Sequence, residues 1–298
     1  MSHLKDVLES GKFAVTAEIS PPKSASCETI RKKAAMLKDC VDAVNLTDNQ
    51  TAIVRISSFA SSLACLQEGV EPILQMTCRD RNRIAMQSDV LGASAFGIHN
   101  VMCLSGDHQS FGNQKEAKNV YDVDSIQQLM IFNKMRCDGQ VWGGDELKEK
   151  PELFLGAAAN PFADPFEFRV QRLAKKITAG ADFIQTQAVF DVERFREFMS
   201  SVCDRGLDKK VHILAGVMPL KSYNMAEHMK NNVSGISLPD EMVSRMKSAA
   251  DPKEEGLAIC HETIEELKKI KGVHGVHIMA ISWESVVPRI IEDAELRD

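Results

Sequence analysis

The chain has 298 residues, a formal net charge of −6, 44% hydrophobic residues and 26% charged ones. That length and composition allow a large buried core in one or two domains. Acidic and basic residues are interspersed and no apolar run approaches the roughly 18 residues that span a bilayer, so neither nucleic acid nor a membrane is expected as a partner.

The opening, MSHLKDVLESGKF, reads as a short charged helix with no apolar h-region, so no secretory signal is expected. Apolar, β-branched runs then alternate with helical patterns. Strands are expected at 13–19, 42–47, 72–78, 99–105, 153–159, 182–188, 211–217 and 274–281. Helices are expected near 26–39, 50–68, 80–95, 122–137, 165–179, 191–204, 222–231 and 253–271. Asp191 opens one helix as a cap, and Gly180 follows Lys175 and Lys176 at the end of another. Eight β-then-α units predict an α/β fold, a single (β/α)8 TIM barrel, because parallel strands need helical crossovers. The expected organisation is one domain over 1–298, with an insertion around 106–152 and a short C-terminal tail at 285–298. A doubly wound sheet is the alternative, but SPPKSAS after the first strand is not a Gly-rich phosphate turn.

Eight cysteines are scattered without a C-x-x-C pair, so no metal site is expected and a reducing cytoplasm is the expected location. In such a barrel, polar residues at the C-terminal strand ends face the ligand. Collected in order they are Glu18, Thr47-Asp48-Asn49, Thr77, Asp107, Asn160, Gln185 and Gln187, with Tyr223 just past the seventh strand. Glu18 has two readings: a loop cap or partner for Lys23, or a general acid whose charged form is disfavoured at an apolar mouth. Asp107 is either a turn residue or a second carboxylate at that mouth. His274 and His277 suit core or rim hydrogen bonds, and His108 adjoins Asp107.

In this order, AEISPPKS, LSGD, YDVDSIQQL, AAANPFADP, AGADFIQTQAVFDVERF and AGVMPLKSYNMA resemble the strand-end motifs of the methylenetetrahydrofolate reductases, flavin-containing barrels of one-carbon metabolism. The resemblance runs from about residue 5 to residue 285. It implies a flavin-dependent reduction of 5,10-methylenetetrahydrofolate to 5-methyltetrahydrofolate. Glu18 is then the acid that opens the five-membered ring, and Asp107 stabilises the resulting cation and bonds the pterin. By the same resemblance Gln187 and Tyr223 bind substrate, whereas Thr47, Gly106, Asp107, Tyr121, Asp122, Asn160 and Lys176 line the flavin.

This sequence departs from the family at several points. Ser105 stands for a phosphate-binding arginine, Gln75 for a flavin-side histidine, and Asn160 and Asp164 for an aromatic residue and a histidine. FMN therefore competes with FAD as the expected cofactor. Trp283 stands where an arginine would hold the folate tail. The implied donor is NAD(P)H or an electron-transfer partner subunit, cysteine-rich with zinc or iron–sulfur as in acetogens of the Wood–Ljungdahl pathway. An oligomer or hetero-complex and a bacterial source are expected. The alternative function is a non-catalytic folate- or flavin-binding subunit that docks such a partner.

Overall fold

Strands β1 (Ala14–Ile19), β2 (Ala43–Leu46), β3 (Pro72–Thr77) and β4 (Asn100–Leu104) are followed by β5 (Phe154–Ala159), β6 (Phe183–Ala188), β7 (His212–Val217) and β8 (Gly275–Ile278). All pair in parallel and in chain order, and β8 closes on β1 with Thr16 opposite His277. The structure, a computed structural model, describes residues 2–233 and 235–297. The expected (β/α)8 barrel is what the chain forms.

The alternation of each strand explains the two cores. In β1, Val15, Ala17 and Ile19 point outward and pack with Ile30, Ala34 and Leu37 of α2 (Glu28–Leu37). Ala14 points inward, where it joins Ile73, Met102, Phe154, Phe183 and Leu214. Phe154 and Phe183 stack with centroids 5.2 Å apart, and Gly156 makes room for them: a Cβ there would lie 2.3 Å from the Phe183 ring. Helix α1 (His3–Glu9), the expected N-terminal helix, buries Leu4 and Leu8 in this inner cluster and closes the lower end of the barrel.

The outer ring continues with α3 (Ser58–Gln67), α4 (Arg83–Ala95), α5 (Ser125–Asp138), α6 (Phe168–Thr178) and α7 (Val192–Asp204). The helix expected over 50–68 begins only at Ser58, where Ser57 caps it by accepting the Ala60 N–H. Before it, Asn49, Thr51 and Ala52 have φ of 46°, 57° and 55°, so the chain makes a left-handed turn rather than a helix. At α5 a capping box forms as the Asp124 carboxylate accepts the N–H groups of Ile126 (2.9 Å) and Gln127 (2.8 Å). The Gln127 side chain in turn accepts the Asp124 N–H. Asp124→Ala is expected to lower unfolding free energy by about 0.5–2 kcal/mol, read from the shift of a urea transition with unchanged slope.

Between β7 and β8 the chain makes its longest excursion. It forms α8 (Tyr223–Asn232) and an additional helix, α9 (Asp240–Ser248), before α10 (Pro252–Leu267) takes the crossover position against β7. Met229 and Met246 bury one side of this pair against Ala188, Phe190 and Met218. Within the segment expected as a tail, Val287, Ile290 and Ile291 share a face of α11 (Val287–Asp293), which packs on α2 and α10. No helix among the described residues is long and apolar enough to cross a membrane.

Candidate active site

The C-terminal strand ends surround a mouth with two adjoining cavities of about 250 and 260 Å³. Glu18, Gln50, Gln75 and Leu104 line both, so Glu18 stands on the wall between them. Burial raises its carboxyl to about 7, the Gln75 hydrogen bond opposes this, and the charge of Glu284 adds to it. The bond itself runs from Gln75 Nε2 to Glu18 Oε2 at 3.5 Å. Of its two readings, the pairing with Lys23 is not among the ion pairs of the described residues; the nearby Lys32 and Lys33 pair instead with Glu28 and Glu284.

The first cavity is polar. Asp107 lines it with Glu18, so the two carboxylates face one space. Asp107 Oδ2 accepts the Thr51 N–H (3.1 Å), and its carbonyl accepts from Arg79 (3.0 Å). Thr47 also lines it; its buried hydroxyl has no hydrogen-bond partner among the described residues. Gly106 turns at φ 85°, and a Cβ there would approach Thr77 Cβ to 3.0 Å, so only glycine lets β4 leave beside β3. The Tyr121 hydroxyl donates to the Gly106 carbonyl (3.2 Å), placing that ring on the same rim.

The second cavity has an apolar wall: Met102, Met218, Met229 and Met279, with Val233 and Ile236 just beyond α8. Its floor is polar. Asn45 and Gln185 exchange amide hydrogen bonds of 2.6 and 3.1 Å, and Gln185 Nε2 also donates to Thr16 Oγ1 (3.1 Å). Thr16 Oγ1 lies 3.0 Å from His277 Nδ1, and burial holds that imidazole neutral by lowering it to about 3. Gln185 therefore belongs to the barrel interior, one layer below the strand-end position expected for it. Gln187 is exposed at the rim and lines this cavity as well as a smaller one.

The smaller cavity, about 160 Å³, lies above β5 and β6 and holds Asn160 and Lys176 with Arg169 and Arg172. Lys176 reaches in from α6 and donates to the Ala158 carbonyl (2.5 Å). Its burial, followed by the nearby charge of Arg172, lowers it to about 8. Asn160 Oδ1 accepts the Phe162 N–H at 3.0 Å.

Two expected residues lie apart from these cavities. Asp122 is clasped by the Arg83 guanidinium through bonds of 2.7 Å to each oxygen, which lowers its carboxyl to about 2. The Tyr223 hydroxyl bonds Glu227, and Lys247 lies 5.8 Å from its ring centroid. His108 is exposed and caps the short 3-10 turn that follows Asp107.

An ionic lattice beneath the first cavity escaped the sequence reading. Arg79 bridges Asp80, the Asn49 carbonyl and the Asp107 carbonyl. Asp48 binds Arg81 (2.7 Å) and both the N–H and hydroxyl of Thr77 (2.9 Å each). The signal was available in TCRDRNR, a charge run directly behind a barrel strand. A larger cavity of about 630 Å³ opens at the other end of the barrel, but there Asp42 is neutralised by Arg297 (2.7 Å).

A family model described as methylenetetrahydrofolate reductase matches residues 3–295. Methylenetetrahydrofolate reductase 2 of Schizosaccharomyces pombe is 24% identical over 98% of this chain and 47% of its own length. The chain thus spans about half of that relative. The 5,10-methylenetetrahydrofolate reductase of Pectobacterium carotovorum subsp. carotovorum is 22% identical over 91% of this chain and 87% of its own. Among solved structures, a Clostridium thermocellum protein described as binding two copies of 5-methyl-5,6,7,8-tetrahydrofolic acid superposes with a TM-score of 0.69. That match has 18% identity and covers 99% of this chain and 97% of the other, a likeness of fold. The family match takes in every strand of the barrel and both cavities at its mouth, and on it the chain belongs to the methylenetetrahydrofolate reductase family.

Proposed function

We propose that this chain reduces 5,10-methylenetetrahydrofolate to 5-methyltetrahydrofolate with a bound flavin, Glu18 acting as general acid. The observation that carries the reading is a carboxyl group raised to about 7 on the wall between two ligand-sized cavities. Near neutrality such a group still holds a proton in a large share of molecules, which an ordinary glutamate does not. Glu18 gives that proton to the bridging amine of the substrate as the five-membered ring opens. Positive charge then develops on the substrate, and Asp107 on the same cavity wall offsets it. Gln187 can donate to and accept from the pterin edge. Tyr223 belongs to the reading as an aminobenzoate contact on the helix whose Met229 lines the cavity.

The residues at the mouth fit a flavin. Thr47 offers a buried hydroxyl without a partner, Gly106 leaves backbone bare beside it, and Lys176 and Asn160 offer a cation and an amide in the third cavity. Tyr121 belongs to that expected set on the rim, whereas Asp122, clasped by Arg83, stands apart from these cavities. The flavin, FMN or FAD, supplies the hydride when bound. In this reading the donor is NAD(P)H or a partner subunit of a complex, and the cysteine usage suits the reducing cytoplasm.

The test is direct. The purified chain is expected to be yellow, and methylenetetrahydrofolate is expected to reoxidise its dithionite-reduced flavin. A colourless protein that takes up no added flavin would refute the reductase reading. A yellow one that folate does not reoxidise would leave only a binding subunit.

A further inference from the structure

Below Glu18 the barrel interior carries a buried polar chain that the proposed chemistry does not use. Thr16, Asn45, Gln185 and His277 come from β1, β2, β6 and β8, and each is exposed by 3% or less. A (β/α)8 interior is ordinarily filled by branched apolar side chains, so a polar cluster there calls for a reason. Its hydrogen bonds run in one direction. Asn45 Nδ2 donates to Gln185 Oε1 (2.6 Å), and the two hydrogens of Gln185 Nε2 go to Asn45 Oδ1 and Thr16 Oγ1 (3.1 Å each). Thr16 then has one hydrogen to give, with His277 Nδ1 at 3.0 Å and the Val276 carbonyl at 3.4 Å.

Burial holds the imidazole neutral, lowered to about 3, so it carries a single ring proton. Gln185 Nε2 also lies 3.4 Å from Nδ1, and a proton on Nδ1 would set two N–H groups head to head. Nδ1 is therefore the acceptor for Thr16, and Nε2 keeps the proton. Nε2 has no hydrogen-bond partner among the described residues, and the ring lines the second cavity. A buried N–H left unpaired is costly, and the thioethers of Met102, Met218 and Met279 in the same cavity are weak acceptors. His277 pairs with Thr16 in register, and Glu18 follows two residues later on the same inner face. That places His277 about 7 Å below the acid along the strand, the length of a fused bicyclic heterocycle.

We propose that the Asn45–Gln185–Thr16 chain fixes His277 as its Nε2–H tautomer, a donor at the cavity floor for a ring carbonyl of the bound heterocycle, and so sets the register of that ring against Glu18. The proposal rests on the reductase reading above. Pterin and flavin both carry such a carbonyl on a pyrimidine ring. Gln187, the substrate contact of that reading, lines the same cavity, so the pterin is the expected source. A fixed donor there favours a 4-oxo ring over a 4-amino one, whose own N–H groups would face it.

Nitrogen NMR of the imidazoles, with His277 assigned by the signal missing from His277→Gln, is expected to show Nε2–H in the wild type and a mixture of tautomers in Thr16→Val. Binding of 5-methyltetrahydrofolate and of its 4-amino-4-deoxy analogue is then compared by titration, beside FMN and FAD. The wild type should prefer the 4-oxo ligand. Glutamine can place its amide N–H where Nε2 stands, whereas asparagine places it near Nδ1. His277→Asn should therefore weaken 5-methyltetrahydrofolate by about 3–10-fold and lose the preference, and His277→Gln should recover most of both. A flavin affinity that falls in His277→Asn and recovers in His277→Gln, with folate unchanged, would support the donor and assign the carbonyl to the flavin. An Nδ1–H tautomer in the wild type would overturn the proposal. So would unchanged folate and flavin affinities in His277→Asn, or a loss in His277→Gln as large as in His277→Asn. A wild type that binds neither folate nor flavin would refute the reductase reading and the ligand role with it; with binding intact, each other outcome bears on His277 alone.

Discussion

Glu18→Gln is expected to lower folate reduction by about 10²–10⁴-fold or more while the flavin stays bound. Glutamine keeps the shape and the contact with Gln75 but has no proton to give to an amine. Turnover of the wild type should fall as pH rises through about 7, because in the proposed reading the acid form is the working form and burial raises the carboxyl to that value. The variant's residual rate should lose that limb. Linkage adds a second readout. The folded-state value lies above the unfolded one of about 4.5, so protonated Glu18 favours folding at low pH and this contribution is lost as pH rises through about 7. The neutral variant escapes that loss. It should melt above wild type at pH 8, and the difference should shrink toward pH 5. Full turnover by Glu18→Gln would remove the acid role. Equal melting at pH 8 would show that the carboxyl ionises freely.

Asp48→Ala is expected to cost about 3–5 kcal/mol of stability, the usual result of deleting one partner of a buried ion pair. The Asp48 carboxylate is fully buried, and Arg81 is mostly so. Its removal strands that guanidinium and also frees the Thr77 N–H and hydroxyl. The residues on either side, Thr47 and Asn49, line the first cavity, so flavin affinity should drop with stability. Urea unfolding gives the first quantity and flavin titration the second. A loss under about 1 kcal/mol would mean that water replaces Asp48 readily and that the lattice is peripheral.

Much of the barrel was legible because parallel strands are buried on both faces and read as short apolar runs. The eight expected strands fall within a residue or so of those observed, except that β8 ends at Ile278, three positions early. Glu18 was legible for the same reason, as a charge in a segment that otherwise demands apolar residues. What failed depended on contacts distant in sequence. Helix propensity suggested one helix over 50–68, whereas the left-handed turn at Asn49–Ala52 answers to Asp107 and Arg79 across the rim. Helix α9 was missed because Met242, Val243 and Met246 make a narrow apolar stripe that gains meaning only against α8 and α10. The four methionines of the cavity wall come from positions 102, 218, 229 and 279, and no local pattern joins them. Gln185, collected with the strand ends, does line the second cavity, but as part of its floor, because period-two alternation gives the face and not the depth along the strand.

The excursion between β7 and β8 divides ownership of the mouth. One wall takes Met218, Met229, Val233 and Ile236 from this excursion, joined by Met102 of β4 and by Met279 just past β8, and it is made of flexible thioether and aliphatic side chains. The opposite wall is assembled from the ends of β2, β3 and β4 and locked by Asp48, Arg79 and Arg81. Such a division is modular. The soft wall can be lengthened, trimmed or repacked to suit a different guest without disturbing the rigid one, and Glu18 stands on the seam where both halves can use it.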